Sequence, residues 1–183
     1  SAPAPKPKPK LVNAVHDKEG EAPVVMATKR AQLEVLTLLM DKGADTRVRS
    51  LSGSTLLSTA ARLPDALPFV RVLLDHGADA NQADEADGNV PLLAAVARGE
   101  SQAPVVRALL AKGARPNASN RRGSFSLHRA CAVMSPVLVE DLLAAGADAN
   151  RVHEQDDNVS PLMRAVRAVL ASDVRVPSES SKQ

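Results

Sequence analysis

Residues 123–150 read GSFSLHRACAVMSPVLVEDLLAAGADAN. Counting back from Gly146, Leu143, Leu142 and Val139 stand three, four and seven residues away. Offsets of three and four lie on one face of an α-helix. A glycine just beyond such a face suits the left-handed position that ends a helix. Upstream, Ser126 and Ala130 mark a first, shorter helix, and Gly123 supplies the tight turn before it. The stretch therefore predicts turn, short helix, loop, second helix and glycine-capped exit.

The same pattern recurs along the chain. Exit glycines stand at Gly43, Gly77, Gly113 and Gly146. Leu39, Leu73, Leu109 and Leu142 precede them by four residues, and Leu36, Val70, Val106 and Val139 by seven. The first-helix register starts at Pro23, Leu56, Pro91, Ser126 and Pro161, and an alanine follows four residues later every time: Ala27, Ala60, Ala95, Ala130 and Ala165. Proline is tolerated in the first turn, where its missing N–H is an orphan anyway. The alanine column fits a close helix–helix contact. Single units of this size cannot bury their apolar faces alone, so neighbours must stack.

Composition agrees with thin aliphatic layers. Of 183 residues, 44% are apolar, yet aromatics are 1% and alanines number 31. Large rings normally carry much of a core's buried area, which argues against a thick sandwich or barrel and against recognition of bases by aromatic stacking. No run of eighteen apolar residues is long enough to span a membrane, and no apolar signal segment is visible at the N-terminus. Cys131 is the single cysteine and cannot form an internal disulfide, which points to a reducing compartment. The formal net charge of +2 divides into +3 from Lys6, Lys8 and Lys10 and −1 from the remaining 173 residues.

On these residues the chain resembles the ankyrin repeat, whose period is about 33. The family's Thr-Pro-Leu-His-x-Ala stretch is matched best by Thr55-Leu56-Leu57 and by Ser126-Leu127-His128-Arg129-Ala130, and also by Pro91-Leu92 and Ser160-Pro161-Leu162. Its Gly-Ala-Asp-x-Asn exit is matched fully at residues 77–81 and 146–150 and partly at residues 43–45 and 113–117. The resemblance implies an all-α ankyrin-repeat solenoid with hairpin loops. Repeats are expected at about 17–49, 50–83, 84–117 and 118–150, with a half-repeat at 151–172 and disordered tails at 1–10 and 173–183.

Departures from the pattern predict uneven stability. A helix-capping hydroxyl survives only at Thr55 and Ser160; Ala22, Val90 and Phe125 replace it elsewhere, each at about 1 kcal/mol. Extra residues fall between the helices near 63–67 and 99–103, and in the turns near 82–87 and 151–157. Phe69 is expected in the core. Phe125 has no evident role.

Catalytic chemistry has no candidate. His16, His76, His128 and His153 fall in different units, and the one His–Cys pair at helical spacing, His128 with Cys131, supplies only two of the three or four ligands a site needs, so no metal site and no cofactor is expected. The resemblance implies that His128 bonds backbone between loops. Cys131 is expected to be a buried, inert small hydrophobe, and Asp156-Asp157 a solvated turn.

The remaining candidate is surface. In the family, partners dock on the concave side formed by turn tips and first helices. Transferring those positions gives Lys29, Arg30, Arg62, Leu63, Arg98, Arg121, Arg122 and Arg167. They are either the solvated face of short helices or a basic stripe for an acidic protein partner, since arginine pairs carboxylates bidentately. The chain is thus expected to be a monomeric, cytoplasmic or nuclear protein-binding module. It is not expected to take a small-molecule substrate, nucleic acid or membrane. The alternatives are a regulatory or targeting domain of a larger protein, and an electrostatic tether acting through the Pro/Lys tail. The family also implies hydroxylation at Asn81, Asn117 and Asn150, against which stands a plain turn-stabilising role.

Overall fold

The computed structural model describes residues 21–152, 160–163 and 165. Among the described residues eight complete α-helices follow in four pairs: α1 (Pro23–Lys29) with α2 (Leu33–Asp41), α3 (Leu56–Ala61) with α4 (Ala66–Asp75), α5 (Pro91–Val96) with α6 (Ala103–Ala111), and α7 (Ser126–Ala132) with α8 (Pro136–Ala144); residues 161–163 and 165 are helical as well. First helices pack on first helices and second on second, so α1, α3, α5 and α7 form one row and α2, α4, α6 and α8 the other. No extended strand occurs among the described residues. Two hairpin bridges, Arg49 with Thr55 and Ser119 with Phe125, close turns between units.

The two sequence registers become the core. Ala27, Ala60, Ala95 and Ala130 are buried where the first helices cross. Leu73, Leu109 and Leu142 are fully buried from the second row, and Phe69 joins them. The exit glycines work as the spacing predicted. Gly77, at φ +82°, donates its N–H to Leu74 O while Ala78 donates to Leu73 O. This double bond satisfies carbonyls that a helix end otherwise leaves orphaned.

Two first helices end in the same left-handed geometry without glycine. Ala31 (φ +53°) and Met134 (φ +51°) hold it, with Gln32 N–H on Ala27 O and Ser135 N–H on Ala130 O. A side chain there costs about 1–2 kcal/mol, partly offset by the smaller entropy of the unfolded non-glycine chain. Ala31→Gly is expected to raise stability by about 1 kcal/mol and Tm by about 2–4 °C. A thermal melt showing no gain would mean that the position carries no strain.

Units are joined turn to turn. Glu85 N–H donates to Gly53 O at 2.9 Å, and Arg121 N–H to Asp87 O at 3.0 Å. The tips approach so closely that a Cβ on Gly53 would lie 2.8 Å from Glu85 Cβ, and one on Gly88 would lie 2.9 Å from Arg121 Cγ. Exit asparagines make a second set of joints. Asn81 donates to Gly113 O and accepts from Arg115 N–H; Asn117 does the same with Gly146 O and Asp148 N–H. The first unit has Arg47 in that column, turned back on Asp45 instead. The Arg47 side chain and N–H hold the Asp45 carboxyl below its usual range.

The inserted residues of the third unit are absorbed by a 3-10 turn, Glu100–Gln102. Gln102 is buried and donates to Leu63 O and Pro64 O of the second unit, both at 3.2 Å. Glu100 accepts from Ser135 Oγ of the fourth unit at 2.9 Å. Ser135 also caps α8, a capping hydroxyl the column reading overlooked.

Candidate functional site

The candidate face is built from the ends of the first helices and the turn tips. Lys29, in the last turn of α1, stands 2.5 Å from Glu21 Oε1. Glu21 is 5% exposed and also accepts from Leu51 N–H of the next unit's turn. Arg62, just after α3, donates to Asp84 Oδ2 at 2.6 Å. Asp84 is 3% exposed, and its other oxygen accepts from the buried Thr55 N–H at 2.8 Å. Two buried acids thus neutralise the first-helix cations of units one and two.

The other candidates differ in setting. Arg30 and Arg98 are exposed, with no acid partner among the described residues. Arg121 is exposed at the fourth tip and donates to Ala86 O. Arg122 beside it is exposed, and its N–H is fixed by Asn120 Oδ1. Leu63 is half-buried and packs against the core. Arg167 lies outside the described residues, as do the Pro/Lys tail, His16 and His153.

Column transfer missed one cation and the buried acid Glu21, and Asp84, a turn acid that opposes the stripe in sequence, lies buried. Arg129 is exposed on α7, earlier in its helix than the transferred positions. It adds a cation to the fourth unit, whose transferred positions already include Arg121 and Arg122. The burial of Asp84 follows from the longer turn at 82–87, whose Asp84 N–H and O bond Asn89 O and Gly88 N–H. Sequence marked that insertion without indicating which acid it would fold inward.

Phe125 gains an explanation. It is buried with the His128 ring edge-on at 3.9 Å and the Arg151 guanidinium 5.0 Å over its own ring. Arg151 also donates to Asn117 O. The ring leaves α7 without a side-chain cap and instead packs between His128 and Arg151. His76 bonds Val72 O and reaches Asp41 of the preceding second helix at 3.2 Å. Cys131 is half-buried rather than buried, because nothing among the described residues fully covers that side of α7. Desolvation pushes its thiol up, away from the reactive thiolate.

Among the described residues no group of three or more His, Cys, Asp and Glu is placed to hold a metal ion. No helix among them is long and apolar enough to cross a membrane. Asn81 and Asn117 use both ends of their amides between units, while Asn150 donates its N–H to Asp148.

A family model for ankyrin repeats, in three copies, matches residues 8–84 and 67–153. Protein PhlB of Serratia liquefaciens is 39% identical over 102 residues, 56% of this chain and 44% of its own length. An intracellular phospholipase A2 of Caenorhabditis elegans is 31% identical over 146 residues, 76% of this chain and 13% of its own length. Transient receptor potential cation channel subfamily A member 1 of Homo sapiens is 29% identical over 133 residues, 72% of this chain and 12% of its own length. This chain therefore spans less than half of each relative. The stacked helix pairs, the glycine exits and the match across most of the sequence agree: the chain belongs to the ankyrin-repeat family.

Proposed function

We propose that this chain is a non-catalytic protein-interaction module whose partner docks an acidic segment on the concave side of units three and four. Ankyrin repeats generally mediate protein–protein interaction. The observation that carries the finer reading is the uneven pairing of cations. Buried Glu21 and Asp84 occupy Lys29 and Arg62, whereas Arg98, Arg122 and Arg129 are exposed without an acid. Cations already held by a buried acid have little left to give a ligand. Exposed arginines on a rigid row lose little freedom on binding and pair carboxylates with two parallel bonds.

The test begins with affinity purification and mass spectrometry to identify a partner, followed by calorimetry. Arg98→Glu with Arg122→Glu is expected to weaken binding about tenfold or more, about 1.4 kcal/mol, while Lys29→Ala changes it less than twofold. Equal affinity for the double reversal would overturn the arginine reading. A second reading, a regulatory or targeting domain of a larger protein, is favoured by two relatives in which the matching segment is only 13% and 12% of the length. The adjoining sequence in a full-length transcript decides it.

A further inference from the structure

The row of second helices repeats a charged joint, and at one joint the acid is missing. Column comparison shows where. Arg107 stands on α6, six residues before its exit glycine, with its Nε 2.9 and 2.8 Å from the two carboxylate oxygens of Asp141 on α8. Asp141 lies five residues before the next exit glycine. One unit earlier the same two positions are Arg71 on α4 and Ala108 on α6. The arginine is kept and its carboxylate is gone. At the first joint the two positions hold Thr37 and Val72, so neither charge is present.

The missing side chain leaves a space. Between α4 and α6 runs an open groove of about 260 Å³, lined by Arg71, Leu74, Asp75, Ala108, Ala111 and Lys112. Its walls lie in units two and three, inside the stack rather than at either end. Ala108 and Ala111 shape it, because the helix at the preceding joint has Val72 and Asp75 in those columns. Leu74 is buried at the floor and Ala108 half-buried beside it.

The charges of the groove do not cancel. Asp75 is held by Lys112 at 3.0 Å, as Asp41 is met by His76 at the joint before. Arg71 is exposed, and no acid lies within ion-pair distance of it among the described residues. Two cations against one acid leave a single positive charge beside an apolar floor. One carboxylate matches it, and the guanidinium is the cation best shaped to hold one.

We propose that this groove binds an acidic side chain of a partner polypeptide. Its carboxylate sits on Arg71 as that of Asp141 sits on Arg107, and an adjacent apolar side chain lies on Leu74, Ala108 and Ala111. The stack itself supplies the precedent, a carboxylate delivered by a neighbouring chain segment. Sites for small molecules enclose most of their ligand; this groove is open along its outer side, which suits a side chain carried by a longer chain. The site lies on the second helices and uses neither Arg98 nor Arg122, so it stands or falls apart from the function proposed above.

The probe is the capped tetrapeptide acetyl-LEAL-amide, titrated at millimolar concentration into the full chain, with the Arg71 Nε–H signal followed by NMR. Saturable shifts of that signal are expected, and acetyl-LQAL-amide is expected to bind at least tenfold more weakly. In a competition format, Arg71→Gln lowers peptide affinity about tenfold, while Arg107→Gln, which disturbs an arginine already holding Asp141, changes it less than twofold. Ala108→Asp rebuilds the missing acid: without peptide it moves the Arg71 signal toward its saturated position, and it abolishes binding. No saturable shift overturns the proposal, as does equal binding of the glutamine peptide or undiminished binding to Ala108→Asp. Hexanoate binding as tightly as the peptide would overturn the assignment to a polypeptide. Deleting residues 172–183, which include Asp173 and Glu179, is expected to leave the affinity unchanged. A gain in affinity would overturn the proposal by making the chain's own terminus the occupant.

Discussion

Replacing Leu109 by alanine is expected to lower the unfolding free energy by about 3–5 kcal/mol, the upper range for deleting a leucine from a packed core. Leu109 is fully buried in α6, the second helix of the third unit. That helix packs on α4, α5 and α8, so it has neighbours on both sides along the stack. A thin layer holds few spare side chains with which to refill the cavity, which favours the larger cost. Total stability of a domain is about 5–15 kcal/mol, so one substitution removes a large share. Leu143→Ala is the matched comparison: the same residue type on α8, but exposed, with an expected cost near 0.5 kcal/mol. Urea unfolding of both variants checks the pair. A cost below 1 kcal/mol for Leu109→Ala would mean that the third layer repacks freely.

The second large effect is expected at Asp84. Asp84→Ala removes the acceptor of the buried Thr55 N–H and the counter-ion of Arg62. An orphaned buried donor costs about 1–3 kcal/mol. Arg62 is partly exposed and can turn to water, so the charge itself adds little. The net loss is expected at about 2–3 kcal/mol. Asp84→Asn keeps an oxygen for Thr55 and is expected to lose about half as much. Denaturant titration of the two variants separates the terms, and equal losses would show that the Arg62 pair carries the whole effect. Both variants also release a cation onto the concave side, so binding of an acidic partner is expected to extend toward unit two.

The repeat architecture was readable because its signals are short-range and repeated. An exit glycine with leucine four residues earlier reports a helix end whatever lies around it, and four such ends in one period report a stack. Alanine at one recurring position likewise announced the closest helix contact. The site was less legible, because charge pairing depends on which side chains a turn folds inward. Arg62 and Arg98 look alike in sequence; only the burial of Asp84 separates them. Phe125 was opaque for a similar reason, since Arg151 and His128 reach its ring from 26 residues and 3 residues away in the chain. Leu63 stands in a variable column, and its half-burial against the core is visible only in the structure.

Glu100–Gln102 changes how the stack is expected to come apart. In an ideal repeat array each unit melts against its neighbours alone, and stability is nearly a sum of unit and interface terms. Here three consecutive residues grip the second unit through Gln102 and the fourth through Glu100. Opening the third unit breaks both grips together, so units two to four are coupled into one cooperative block. The first unit lacks such a turn, and it lacks the exit asparagine as well. Hydrogen exchange is therefore expected to divide the protein unequally: α1 and α2 exchange through an early partial opening, while α3 to α8 exchange through a single, rarer event.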